Sequence, residues 1–389
     1  MRPARELYFR ICVLGLGVLR EELKRKYMAN QIETYRHGGN PSGDLSRFNL
    51  QPRSVIDFST SLNPLGAPPV ITDHWPELID AVKEYPSIEG DGITDFYRTR
   101  FGLSDKNILA GNGSTEIIYL IPRSLRLKQV VILTPSFHDY ERAALLSGAK
   151  VIRVPLLNDG SSFRIDMERL VEALKISDAV WLAMPNNPTA DLFPKEMINV
   201  LASGFPDKWF IIDEAFIQFS DNWEEEGFIT GEMKPNMLVI HSLTKFYALA
   251  GLRMGGLIGH EDVISRIRKS KEPWTINGVA DRAALLLKEC EGYERESRAY
   301  VSRERDRIIK RLKASDGIMP FPSTTNFILC RWTGTRDLDD LQRHLLANGM
   351  YVRDCRNFPG LKDNYFRIGL RTREENDQLT SLISSYPGG

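Results

Sequence analysis

The sequence predicts an α/β protein in which a mostly parallel sheet is packed between helices and a smaller α+β unit follows. Three observations carry this. Between about Asn107 and Gly259, short β-branched or apolar runs end in polar or Gly-rich turns and alternate with segments of helical spacing. Most of those runs are apolar throughout instead of alternating, as expected of strands covered on both faces. After Gly259 the rhythm changes to a long charged helical stretch and then to strands and helices in mixed order.

With 389 residues the chain is long enough for two domains, because single cores stop growing near ~250 to 300 residues. Near the start, Ile11 to Leu19 is an apolar run of nine residues between Arg10 and Arg20. A spanning helix needs ~20, so this run cannot cross a bilayer. Arg20 to Lys26 is charged where a signal-peptide cleavage site would carry small residues, which disfavours export. Residues 1–33 are therefore an N-terminal extension of unknown role: an added amphipathic helix, or a segment upstream of an effective start at Met28. Residues 34–80 form an arm or part of the smaller unit, and the Pro-rich segment Asp57 to Glu84 crosses back to that unit.

The large unit spans residues 81–275, with strands expected at Asn107 to Ala110, Val130 to Leu133, Val151 to Val154, Ala179 to Met184, Phe210 to Ile212, Leu238 to His241 and Gly256 to Ile258. The smaller unit spans 276–389. It opens on a charged helix from Asp281 to Ala314, then reads as a strand from Thr325 to Trp332 and a helix near Asp337 to Ala347. Strands at Met350 to Arg353 and Tyr365 to Leu370 and a helix from Glu374 close it.

Lys plus Arg and Asp plus Glu number 51 each, so nothing in the charge favours nucleic acid or an anionic membrane as a partner. The cysteines, Cys12, Cys290, Cys330 and Cys355, lie far apart, with no C-x-x-C pair and no Cys/His cluster of metal-binding spacing. Buried free thiols in a reducing, cytoplasmic compartment are expected, and no metal.

In a parallel sheet ligands bind beyond the carboxyl ends of the strands, so the residues after each run hold the interest. The first run enters Gly111, Asn112, Gly113, Ser114, Thr115 and Glu116 ahead of an apolar helical segment. Glycines and free N–H groups at a helix start suit an anion. The same residues also make an ordinary turn with Ser114 as N-cap. Phe137 after the second run can be a core ring or can stack on a flat heterocycle. Asn187, in Asn186-Asn187-Pro188-Thr189, can form a turn or bond a ring substituent. Asp213 follows a buried strand, where a carboxylate either caps a turn or meets a cation. Lys245 follows Ser242, Leu243 and Thr244, and Arg253 comes soon after. A lysine just past a buried strand loses its charge more readily and can form an imine with an aldehyde. Alone each signal is weak; the ordered set is not.

That set resembles the fold-type I pyridoxal phosphate (PLP) enzymes, in the branch of histidinol-phosphate aminotransferase and threonine-phosphate decarboxylase. The resemblance covers roughly His37 to Ser384. It implies a large domain with a mostly parallel seven-stranded sheet, and a cofactor linked to Lys245. Asp213 would pair with the pyridine nitrogen, Asn187 would bond the 3-oxygen and Phe137 would stack on the ring. Gly113, Ser114, Ser242 and Arg253 would hold the cofactor phosphate. Tyr85, in Glu-Tyr-Pro, resembles a tyrosine that reaches the phosphate of the neighbouring subunit, which implies a homodimer with a shared active site.

Within the branch, His37-Gly38-Gly39-Asn40 and Phe216 in Asp-Glu-Ala-Phe resemble the decarboxylase, since the aminotransferases usually carry Tyr at the latter position. The implied substrate is an O-phospho-amino acid gripped by His37, Arg353 and Arg367, with Gly38, Ser61 and Asn187 lining the pocket. Its decarboxylation would yield an amino-alcohol phosphate for the cobalamin side chain. Two positions depart from the pattern: Ser61 stands where the decarboxylase has Asn, which leaves phosphoserine open beside phosphothreonine, and Ala190 replaces the Gly that closes Asn-Pro-Thr-Gly. The rival readings are an aminotransferase for histidinol phosphate or an aromatic amino acid, and a cofactor-binding regulator without turnover.

Overall fold

The computed structural model describes residues 37–51, 54–361 and 364–386. The N-terminal extension, Cys12 and the run Ile11 to Leu19 lie outside them. Residues 38–389 group as one compact unit.

Its strands in chain order are β1 (Ile56–Asp57), β2 (Ile108–Asn112), β3 (Gln129–Thr134), β4 (Lys150–Pro155), β5 (Ala179–Ala183), β6 (Trp209–Asp213), β7 (Met237–Ser242), β8 (Met254–Gly259), β9 (Ile318–Pro320), β10 (Phe327–Trp332), β11 (Met350–Tyr351), β12 (Arg353–Asp354) and β13 (Tyr365–Gly369), apart from one small hairpin. All seven strands read from the sequence of the large unit, β2 to β8, join one seven-stranded sheet in the order β2-β8-β7-β6-β5-β3-β4. β8 runs antiparallel to both its neighbours. The other pairings are parallel.

The continuous apolar runs have the cause expected of them. Side chains alternate across a strand, and here both faces are covered. Leu109, Val130, Ile132, Trp181, Ile211, Leu238, Ile240 and Leu257 pack in one core with the helices Gly113–Leu125, His138–Leu146 and Glu261–Arg268. Their neighbours Ile108, Val131, Val180, Phe210, Ile212, Val239 and Ile258 pack in another, with Phe96, Leu170, Ile198 and Ala283. Cutting a fully buried residue such as Ile211 to alanine costs about 2–5 kcal/mol. The sheet is thereby a rigid platform, and its edge is where functional side chains are held.

A second sheet, β9-β10-β13-β12, is antiparallel throughout. The helix Glu291–Lys313 supplies Val301, Ile308 and Leu312 to the core it shares with Phe327 and Phe366. β1 pairs in parallel with β11, and the chain then passes β13, where Gly369 N donates to Phe58 O at 2.7 Å. A Cβ at residue 369 would lie 2.3 Å from Thr60 O, so only glycine admits this approach.

Two expectations need correction. The helix read from Asp281 to Ala314 is two helices, Gly278–Leu286 and Glu291–Lys313, separated by a 3-10 turn at Leu287–Glu289. Leu287 and Cys290 are buried there, and Gly292 is a poor helix former just inside the second helix. The strand read from Met350 to Arg353 divides at Val352, its halves pairing with β1 and with β13.

Candidate active site

β2 ends at Asn112 and the helix Gly113–Leu125 begins at once. The N-cap is Asn112, without a side-chain cap, so Ser114 lies inside the first turn and is not the cap that a simple turn would make it. Gly113 has φ 70°, and a Cβ there would stand 2.7 Å from Arg253 Nη2. A Cβ on Gly255 would stand 2.8 Å from Ser114 N. Gly255 is thus required by close approach to backbone, and Gly113 by its left-handed φ. Arg253 precedes β8, and because β8 runs antiparallel its start lies at the same sheet edge as the ends of β2 and β7. Its guanidinium donates to Ala250 O at 3.1 Å and Thr115 Oγ1 at 3.5 Å. Ser242 ends β7, its hydroxyl 2.8 Å from Thr244 Oγ1. Helix-start N–H groups, hydroxyls and a guanidinium together form an anion cradle.

Lys245 lies one turn beyond β7, in Leu243–Phe246, and its carbonyl accepts Asn63 N at 3.0 Å. Burial, then the charges of Arg253 and Arg367, bring its amine down to about 8 against the pull of Asp213. About a tenth of it is then neutral at pH 7, several hundred times the fraction of an ordinary lysine. Asp213, the last residue of β6, is buried. Its Oδ2 accepts from Tyr140 Oη at 2.7 Å and its Oδ1 from Ala215 N at 2.9 Å. Burial pushes its carboxyl up to about 6, opposed by Tyr140, by the Ala215 N–H and by Lys245. Glu214, equally buried, points elsewhere and accepts from Ile229 N at 3.2 Å and Phe228 N at 2.5 Å; it serves that loop.

Phe137 is half-buried at the start of the helix His138–Leu146, edge-on to Tyr140 at 5.6 Å. Asn187 Oδ1 accepts from Arg367 Nη1, which turns the other end of the amide, a donor, away from the arginine. Asn186 is the structural partner of the pair, donating to Pro135 O and Thr189 Oγ1. Ala190 has φ 65°, the left-handed conformation that the usual glycine would take freely.

Arg353 and Arg367 stand directly opposite each other on β12 and β13, both buried. Burial, aided by Arg353, brings Arg367 down to about 10. Arg367 lies 4.7 Å above the Phe327 ring, which packs edge-on to Phe216 at 5.0 Å, and it donates to Ser59 O at 3.1 Å. The five residues from Ser59 to Asn63 thus bridge Arg367 and Lys245. Midway, Ser61 Oγ is buried with no protein partner among the described residues. Gly38 fits against Ser59, where a Cβ would come within 2.5 Å of the carbonyl. His37, the first described residue, is exposed. Tyr85 is 88% exposed, its ring 5.7 Å from that of Trp274, and no hydrogen bond ties it to the cradle among the described residues.

The donor set fits pyridoxal phosphate: an anion cradle, an amine that is partly neutral, a buried carboxylate suited to a ring nitrogen, and a half-buried aromatic ring. The sequence reading passed over Tyr140. Its signal was its place three residues after Phe137, in the first turn of the helix that Phe137 caps. Among the described residues no group of three His, Cys, Asp or Glu is placed to hold a metal, and no helix is long and apolar enough to cross a membrane.

The aminotransferase class I and II family matches residues 53–383. Threonine-phosphate decarboxylase of Salmonella typhimurium is 30% identical over 358 residues, 91% of this chain and 97% of that protein. The adenosylcobalamin biosynthesis bifunctional protein CobDQ of Leptospira interrogans is 30% identical over 354 residues, 90% of this chain and 41% of that protein. The crystal structure of histidinol-phosphate aminotransferase from Clostridium acetobutylicum superposes with a TM-score of 0.78 at 31% identity, over 84% of this chain and 97% of that one.

Proposed function

This chain belongs to the aminotransferase class I and II family and is a pyridoxal-phosphate enzyme, and from that premise we propose that it decarboxylates an O-phospho-amino acid. The substrate is O-phospho-L-threonine, with O-phospho-L-serine second, and the product is an amino-alcohol phosphate for the cobalamin nucleotide loop. The observation that carries the reading is the buried cross-strand pair Arg353 and Arg367. The charge of Arg353 disfavours that of buried Arg367, and a dianionic phosphate would offset both.

In this reading Gly113, Ser114, Ser242 and Arg253 hold the cofactor phosphate, Phe137 covers the ring and Asn187 donates to its 3-oxygen. Bound pyridoxal phosphate supplies an electron sink for the bond broken at the α-carbon. Lys245 anchors it covalently and later returns a proton from Nζ to the α-carbon. Asp213 keeps a proton on the ring nitrogen. Arg353 and Arg367 grip the substrate phosphate, while Gly38 and Ser61 shape the pocket.

Tyr85 belongs in this reading to the active site of a second copy, making a homodimer with shared sites. Its exposure, beside exposed Trp75, Ile79, Val82, Ile88 and Trp274, supports that assignment. Cys290, Cys330 and Cys355 are free and buried, which suits the cytoplasm.

The second reading, a histidinol-phosphate aminotransferase, is favoured by the superposition on the Clostridium acetobutylicum enzyme. Against it stands Phe216, which packs on Phe327 and offers no hydroxyl to a cofactor oxygen. Carboxyl-labelled O-phosphothreonine and O-phosphoserine separate the two. Release of labelled carbon dioxide is expected; no release, with glutamate formed from 2-oxoglutarate, would overturn the decarboxylase reading.

A further inference from the structure

We propose that Tyr140 is a positioning residue that holds Asp213 as an ionised, fixed acceptor for the cofactor's ring nitrogen. The inference rests on the reading above that Asp213 faces that nitrogen.

Among the described residues each oxygen of Asp213 has one donor: Tyr140 Oη at 2.7 Å on Oδ2 and the Ala215 N–H at 2.9 Å on Oδ1. Two donors from different directions fix the plane of the carboxylate. Both favour its ionised form. The Tyr140 hydroxyl is itself aimed by packing. Its ring lies nearly parallel to the Trp181 indole, 4.9 Å away at 13°, and edge-on to Phe137. Trp181 is wholly buried in the middle of β5, so the stack has nowhere to move.

Other charges around Asp213 do not serve this purpose. Glu214, the next residue, carries the same sign, as does Asp139 beside Tyr140, whose Oδ1 is already occupied by Tyr119 Oη at 2.7 Å. Lys245 has the opposite sign, but among the described residues it makes no hydrogen bond or ion pair with Asp213 and so does not fix the carboxylate's plane. An arginine at position 140 would neutralise Asp213 and compete with a protonated ring nitrogen. A neutral donor stabilises the carboxylate and leaves its charge for the ring. Burial also drives the phenol well above its ordinary range, so Tyr140 stays a donor at every working pH.

The test is Tyr140→Phe in the holoenzyme, which removes one oxygen and keeps every ring contact. The ring-nitrogen protonation is read by nitrogen NMR of 15N-labelled pyridoxal phosphate in the site. Cofactor dissociation is measured by equilibrium dialysis. The variant should shift the nitrogen signal toward the unprotonated value and weaken cofactor binding about tenfold, the weight of one hydrogen bond to a charged group. In an Asp213→Asn background the same substitution should change binding less than twofold, because the charge it acts through is gone. Wild-type nitrogen signal and affinity within twofold in Tyr140→Phe overturn the inference. So does an equal loss in both backgrounds, the mark of a merely structural tyrosine. A wild-type chain that takes up no cofactor overturns the functional reading too, and that failure is distinguishable because no cofactor signal exists at all.

Discussion

Asp213→Asn should make the cofactor-free protein more stable at neutral pH while disabling the holoenzyme. Burial pushes the Asp213 carboxyl from 3.8 up to about 6. The sign is the reverse of an ordinary ion-paired aspartate. Between pH 4 and 6 the folded chain keeps a proton that the unfolded chain has released, so stability is lost as pH rises through this window and is level above it. A carboxyl that titrates about two pH units late leaves the ionised folded state about 3 kcal/mol worse off. Asparagine removes that deficit but has one acceptor for the two donors that now converge, Tyr140 Oη and the Ala215 N–H. One weakened hydrogen bond returns about 1 kcal/mol. The net expectation is a gain of about 2 kcal/mol at pH 7.5 and little or none near pH 4. Urea unfolding of both cofactor-free proteins at the two pH values measures it, and the difference between them isolates this one group. A variant equal to or weaker than wild type at pH 7.5 refutes the reasoning, since Asp213 would then not be held ionised against its burial.

Further outcomes follow from the same site. Capture of pyridoxal phosphate by cofactor-free protein needs a neutral amine, so its rate should rise with pH and level off about a midpoint near 8; a rate still climbing at pH 10 contradicts the lowered lysine. Arg367→Ala should raise KM for a phosphorylated substrate about tenfold to a hundredfold, the range for a hydrogen bond to a charged group; steady-state rates check this, and an unchanged KM removes Arg367 from the phosphate site. Ala190→Gly relieves a left-handed residue and should raise stability by roughly half a kcal/mol once the extra freedom of glycine in the unfolded chain is counted. A loss of stability by chemical denaturation would mean that the Ala190 methyl, fully buried, packs more than it strains.

The large sheet was legible because each strand is buried on both faces, which forces an unbroken apolar run and leaves polar residues only past its end. Asp213 and Lys245 stand out for that reason. Arg253 was placed at the right edge although it precedes its strand; the antiparallel course of β8 that explains this depends on pairing at a distance. The Arg353–Arg367 opposition also depends on register between strands distant in sequence, and composition cannot give it. Tyr140 was missed because a tyrosine on a helix face reads as core, and its hydroxyl acquires meaning only from a residue 73 positions away. The break at Cys290 escaped because Gly278 to Lys313 is helical in pattern nearly throughout, and the turn is set by what Leu287 and Cys290 pack against.

The central claim is that the strand ends assemble a site whose covalent anchor is Lys245. Reducing the holoenzyme with borohydride fixes the cofactor to whichever lysine carries it, and peptide mapping by mass spectrometry then identifies that residue. The account predicts a single pyridoxyl-phosphate adduct on Lys245 and none in Lys245→Ala. An adduct on another lysine, or an unmodified Lys245 in protein that shows the cofactor's absorbance, would contradict it.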